Sequence, residues 1–132
     1  IVHMRLTREE VIKTKQLYPE AEFIAHPECR KEVLELADYI GSTAGMIKYV
    51  SECPRKEFIV GTEKGIIYKL LKDNPEKKFH VPTDQFICAN MKLTTLGWLA
   101  RSLEKMVYRI EVPEEIAEKG RKALERMLKA VE

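Results

Sequence analysis

The 132 residues are enough for one domain with an adequate core, and 45% hydrophobic with 33% charged residues is ordinary globular composition, which argues against a disordered or fibrous chain. The 23 basic and 21 acidic residues are mixed along the sequence and leave a net charge of +2, without the basic block that tracks a phosphate backbone, so no nucleic-acid partner is expected. No apolar run approaches the roughly 18–20 residues that cross a bilayer and the first residues have no signal-peptide layout, so the reading is a cytoplasmic protein with no membrane partner.

Ile1-Val2-His3 reads as the end of a strand already under way, so the chain is expected to be the C-terminal part of a longer polypeptide. Thr7 is a good N-cap, with Glu9 and Glu10 in the first turn, for a helix running to about Leu17 before Tyr18-Pro19 stops it. Ala21 to His26 is a short apolar strand. Pro27 suits a first helical position, and Val33, Leu34, Leu36 and Ala37 give that helix its buried stripe. Tyr39-Ile40 is a brief strand ended by Gly41, after which Ser42 or Thr43 caps a helix carrying Met46, Ile47, Tyr49 and Val50. Pro54 breaks that helix, and Glu57 to Val60 forms a strand leading into Gly61-Thr62-Glu63. Ile66, Ile67, Leu70 and Leu71 repeat at helical spacing up to Asp73-Asn74-Pro75. Lys78 to Val81 is a further strand. The irregular segment from Pro82 to Met91 contains Cys88. A helix follows from about Thr95 to Met106, with Leu96, Leu99, Ala100 and Leu103 inward. Tyr108 to Val112 is extended, and Pro113 opens a last helix with Ile116, Ala123, Leu124, Met127, Leu128 and Val131 on one face. Strands alternating with helices over short loops predict an α/β fold with a parallel sheet, because parallel neighbours need crossover connections.

In open parallel sheets, ligands bind beyond the carboxyl ends of the strands, where helix N-termini present unpaired N–H groups. His26-Pro27-Glu28, Ser42-Thr43 and Thr62-Glu63 all fall at such turns. His26 and Glu28 suit proton transfer, since imidazole titrates near neutrality and a partly buried carboxyl can be raised toward it. A strand-ending histidine beside a carboxylate that complements a helix dipole is the plain alternative. Ser42 and Thr43, between Gly41 and Gly45, have the makings of an anion-binding turn, and ordinary capping accounts for the same residues. Gly61 to Gly65 lacks P-loop spacing, and without a Gly-x-Gly-x-x-Gly run nucleotide binding is unsupported.

Cys29, Cys53 and Cys88 are too far apart for a disulfide scaffold, and reduced thiols are expected. Cys88, just before a helix, suits a soft-metal ligand such as one for iron or zinc, whereas a buried small hydrophobe is the common role of a lone cysteine. The gaps exceed those of compact zinc modules, and nothing fixes Cys88 beside His26 or His80 as a cysteine protease requires. A non-catalytic α/β module that binds a carboxylate or phosphate metabolite, or a partner protein, fits these features as well.

Together the motifs resemble the C-terminal portion of the quinolinate synthase family, the iron–sulfur enzymes of NAD biosynthesis. His26-Pro27-Glu28-Cys29, Gly41-Ser42-Thr43-Ala44-Gly45-Met46-Ile47-Lys48-Tyr49, Gly61-Thr62-Glu63 with Gly65, and Cys88-Ala89-Asn90-Met91-Lys92 stand in the family's order and approximate spacing. The resemblance implies condensation of iminoaspartate with dihydroxyacetone phosphate to quinolinate, with an aspartate oxidase supplying the iminoaspartate. It also implies a [4Fe–4S] cluster held by three cysteines, one iron remaining open to substrate as a Lewis acid. Cys88 matches the third ligand, the other two being expected in the missing N-terminal part of the polypeptide, and neither Cys29 nor Cys53 matches a ligand position. His26 and Glu28 match the substrate-contacting, proton-moving pair, Ser42 and Thr43 the hydroxyls that bind carboxylate or phosphate, and His3 a histidine lining the site. Ala44 replaces a serine found in many relatives. The implied architecture is a three-layer parallel-sheet unit with helices on both faces, the last of three similar units, plus C-terminal helices. Residues 1–20 would then end the preceding unit and form a linker helix, 21–107 the C-terminal α/β unit, and 108–132 a C-terminal strand and helix. Alone, the chain is expected to be inactive.

Overall fold

A computed structural model describes residues 2–130, which form two compact units divided between Met91 and Lys92. In the first, α1 (Arg8–Leu17) starts at a capping box: the Thr7 hydroxyl accepts the Glu10 N–H at 3.3 Å, and the Glu10 carboxylate accepts the Thr7 N–H at 2.9 Å. There follow β1 (Glu22–Ala25), α2 (Lys31–Leu34), β2 (Tyr39–Ile40), α3 (Thr43–Glu52), β3 (Glu57–Gly61), α4 (Ile66–Asp73) and β4 (Lys78–His80). The four strands are parallel, in the order β2-β1-β3-β4, with Phe23 opposite Ile59 and Ile59 opposite His80.

The period-2 alternation of the two central strands sends side chains to opposite faces, and each face is covered by helices. Phe23, Ala25 and Ile59 pack with Leu6, Val11, Val33 and Phe86 on the side of α1 and α2. Ile24, Phe58 and Val60 pack with Met46, Val50, Ile66 and Leu70 on the side of α3 and α4. The result is the expected three-layer arrangement, a parallel sheet between helices. Gly61 ends β3 where a Cβ would lie 2.8 Å from the Phe23 ring and 3.2 Å from the Ile24 carbonyl oxygen, so only glycine allows this close approach to β1.

In this unit two local expectations change. Pro27 does not open α2; Cys29 N–H donates to the His26 carbonyl at 3.0 Å and Glu28 N–H to His26 Nδ1 at 3.2 Å, and this turn delays the helix to Lys31. Val2 is helical rather than extended, and His3–Arg5 is a single 3-10 turn closed by Arg5 N–H on the Val2 carbonyl. Ile1 lies outside the described residues.

A short helix, α5 (Ala89–Leu93), leads into the second unit, which contains α6 (Leu96–Lys105) and α7 (Glu114–Lys129). Thr95 caps α6, and Met106 ends it in the left-handed region at φ 49°. Tyr108 is also left-handed, at φ 65°, and residues 108–112 form no strand, contrary to the extended segment expected there. No residue from 92 to 130 is buried: Leu96 is 84% exposed and Leu103 66%, so the stripe expected to face inward is open to solvent, as is that of α7. Val131, assigned to the α7 stripe, lies outside the described residues. No helix among the described residues is long and apolar enough to cross a membrane.

Candidate active site

The carboxyl ends of β1, β2 and β3 bring His26, the Gly41-Ser42-Thr43 turn and Thr62-Glu63 to one edge of the sheet. The 3-10 turn adds His3 to the same edge. Its Nδ1 lies 3.0 Å from Glu28 Oε2 and its Nε2 3.0 Å from Thr62 Oγ1, while its ring stacks on His26 with centroids 4.2 Å apart and planes 9° from parallel. Glu28 accepts from Nδ1–H, so in the neutral ring Nε2 accepts the Thr62 hydroxyl proton. His26 Nδ1 accepts the Glu28 N–H, which leaves Nε2 as the protonated nitrogen of the neutral ring. Burial and the adjacent His3 ring hold the His26 pKa below the ordinary imidazole value, against an opposite pull from Glu28. The hydrogen bond from His3 holds Glu28 below the usual carboxylate range. Near neutrality the cluster therefore combines an ionised carboxylate with an uncharged imidazole able to donate from Nε2.

One ligand atom from each of His3, His26 and Glu28 lies within 4.8 Å of the others, close enough to raise the question of a bound ion. A metal must lie near the plane of each ligating imidazole, about 2.0–2.1 Å from nitrogen. Two nearly parallel rings stacked at this separation have no such common point. The arrangement fits a hydrogen-bonded proton path better than a metal site.

Ser42 and Thr43 are exposed at the start of α3, and among the described residues no hydrogen bond or ion pair joins them to the histidine cluster. The Ser42 hydroxyl accepts the Gly45 N–H at 3.2 Å, so capping occupies it in part. Gly41 and Gly45 leave room for a side chain rather than for a ligand: a Cβ on either would meet the Tyr39 ring or hydroxyl, at 2.6 Å and 2.9 Å respectively. Tyr39 in turn stacks on Tyr49 with centroids 4.1 Å apart.

Cys88 is half-buried in a cavity of about 210 Å³ lined by Val2, Arg5, Ile87, Ala89 and Asn90. The other cysteines differ in setting. Cys29 is buried and its Sγ–H donates to the Gly61 carbonyl at 3.4 Å; burial pushes this thiol up to about 11. Cys53 lies at the opposite end of the sheet, 3.5 Å from the carboxylate of Glu22, the first residue of β1.

The family model for quinolinate synthetase A protein matches residues 1–129. The chain belongs to the quinolinate synthase family. It is 48% identical to the quinolinate synthase of Methanosarcina barkeri and 44% identical to that of Thermodesulfovibrio yellowstonii, over 126 residues in each case, or 96% of this chain. A third relative, the quinolinate synthase of Caldicellulosiruptor bescii, is 48% identical over 128 residues, 97% of this chain. The chain spans about two fifths of the length of these relatives, 41% to 42%.

A four-iron cluster of the kind that the resemblance implies takes its ligands as thiolates. The half-buried Cys88 thiol, lining a cavity, fits one such position, whereas Cys29 is committed to a carbonyl in the core and Cys53 is at the wrong end of the sheet. Sequence reasoning did not give roles to Thr62, Glu63 or Arg5. Thr62 holds His3, Glu63 Oε1 accepts the Cys88 N–H at 3.5 Å, and Arg5 Nη1 donates to the carbonyls of Gln85 and Ile87 at 3.3 Å and 3.5 Å. The position of Thr62-Glu63 at a strand end was the available signal; for Arg5 there was none, since its partners lie some eighty residues away.

Proposed function

We propose that the polypeptide to which this chain belongs is a quinolinate synthase, which condenses iminoaspartate with dihydroxyacetone phosphate to quinolinate, with loss of phosphate and water. The observation that carries this reading is the placement of the His3–Glu28–Thr62 network and the stacked His26 on one edge of the sheet, in a chain of this family. Ring-forming condensation with elimination demands repeated proton transfers at neutral pH, and paired groups of different charge state serve this best. His26 donates from Nε2 and takes a proton back once it has given one. Glu28, kept ionised by His3, accepts a proton or holds a developing iminium charge. Thr62 fixes the His3 ring so that Glu28 stays in place. Ser42 and Thr43 supply hydroxyls and N–H groups at the start of α3 for a carboxylate or phosphate.

Cys88 would be one of three ligands of a [4Fe–4S] cluster, the other two coming from the rest of the polypeptide. When bound, such a cluster supplies a Lewis acid that polarises substrate oxygen. With a single ligand of the three, the isolated chain is inactive. Iminoaspartate hydrolyses readily in water, so its supply is assigned to an aspartate oxidase working alongside.

Substitutions in the full-length enzyme test the two roles separately. Cys88→Ala is expected to abolish the visible absorbance of the cluster. Glu28→Gln is expected to leave that absorbance unchanged and to lower turnover by about 10²–10⁴-fold, the usual contribution of a positioned acid or base. An unchanged spectrum in the first variant, or parental turnover in the second, would remove that residue from its role.

A further inference from the structure

The carboxyl end of β3 carries a second polar side chain beside Thr62. Glu63 is 7% exposed, and a carboxylate buried to that extent is costly unless its oxygens are paired. Each oxygen here takes a backbone N–H from a different segment. Oε2 accepts from Gly65 at 2.6 Å, within its own turn, and Oε1 accepts from Cys88 at 3.5 Å, 25 residues away. The neighbouring Lys64 N–H donates to the Phe86 carbonyl at 2.9 Å, and the Phe86 ring is fully buried in the core. The Arg5 guanidinium holds the carbonyls of Gln85 and Ile87. The segment 85–88 is thus tied at four successive residues, although it contains no helix or strand.

We propose that Glu63 is a positioning residue that holds the Cys88 backbone, and with it the thiol, in the place from which it ligates the cluster. The ligand role of Cys88 comes from the function proposed above; the clamp on its N–H is independent of it. Thr62 and Glu63 then have complementary tasks at one strand end. Thr62 orients His3 over the proton-handling cluster, and Glu63 orients the ligand-bearing segment, so the end of β3 sets the two halves of the site relative to each other. A carboxylate is suited to this because both its oxygens accept, whereas an amide would turn a donor toward one of the two N–H groups.

The test uses the full-length enzyme, with and without its cluster. In cluster-free protein, iodoacetamide labelling of Cys88 is expected to be about tenfold faster in Glu63→Gln and faster still in Glu63→Ala, since a hydrogen bond to a charged acceptor corresponds to about that factor. Cys29, buried on the sheet, reports on the fold in the same samples and stays unlabelled. In loaded protein, iron and sulfide are expected to be lost to a chelator about tenfold faster. Parental labelling of Cys88 with Cys29 still protected overturns the proposal, because a role confined to the Gly65 turn would lower the melting temperature without freeing Cys88. Should the variants open the fold and expose Cys29, amide exchange in the unaltered protein decides: slow exchange at Cys88 N–H supports the clamp, and exchange at the free-peptide rate overturns it. A Cys88→Ala enzyme that keeps its cluster would end the ligand role alone, while labelling of Cys88 in the Glu63 variants would still report on the clamp.

Discussion

His26 shows how much of this site depends on neighbours within a few ångströms. Burial is the main cause of its lowered pKa and the facing His3 ring the next, while Glu28 pulls the other way. A histidine depressed in the fold binds fewer protons there than in the unfolded chain, so its contribution to stability is complete above the ordinary value near 6.5. It is lost as the pH falls below that value toward the folded pKa. Glu28 acts in the same direction at lower pH: its contribution is present above the ordinary carboxylate range and disappears as the pH falls through the folded pKa. An NMR titration should place the His26 midpoint below 6.5, and His3→Ala should move it upward. A native midpoint at or above the ordinary value would contradict this account of the cluster. The proximity of His26 to Glu28 was legible in the sequence, because two residues at a strand end are close whatever else the chain does. That Thr62 would hold His3 was not, since the pair is 59 positions apart and only the folded chain brings them together. Glu63 escaped for the same reason: its contact with the distant Cys88 is to a backbone N–H, which no residue type announces.

Individual elements were legible where local chemistry decides them. Thr7 with Glu10 marks the start of α1, and the unbroken apolar run Phe23-Ile24-Ala25 marks a strand, which the fold buries on both faces. Where a tertiary contact decides, they were not. Pro54 marks where α3 ends, but nothing local announces that Lys77, on the turn before β4, reaches back to that end. Lys77 is only 5% exposed; its Nζ donates to the carbonyls of Val50 and Cys53 and lies 5.6 Å from the centre of the Phe58 ring. The ammonium thus meets carbonyls that a helix end leaves unpaired, where the macrodipole also favours a cation. Lys77→Met keeps most of the volume and removes both donors, so it should destabilise the chain by about 2 kcal/mol, the cost of stranded buried acceptors. In urea the midpoint should fall with the slope unchanged. The same change at the exposed Lys78 should be nearly neutral, and equal effects at the two positions would show that the carbonyl contacts contribute little.

Among the described residues, burial is confined to the unit ending at Met91. There a four-stranded sheet has apolar cover on both faces, with twelve large side chains among the described residues, from Leu6 to Phe86, almost wholly removed from water. The apolar stripes of α6 and α7 were read correctly as stripes, but periodicity states only that one face is apolar and not that anything covers it. Between residues 92 and 130, Leu96, Leu103, Ile116, Leu124 and Leu128 are all exposed, and no side chain is buried. A helix of 16 residues such as α7 is marginal in water without tertiary packing, because its nucleation cost is offset by few bonds. Ion pairs such as Lys119 with Glu115 add only about 0.2–0.5 kcal/mol each on an exposed face. Amide hydrogen exchange on the 132-residue chain should therefore divide in two. The amides of β1 and β3, hydrogen-bonded between two apolar layers, should open only with global unfolding and exchange slowest. Those of α6 and α7 should exchange close to the rates of free helical peptides and stay unchanged under conditions that slow the sheet further. Protection of α7 equal to that of β3 in the isolated chain would mean that its apolar face is buried in solution, and the division of stability drawn here would be wrong.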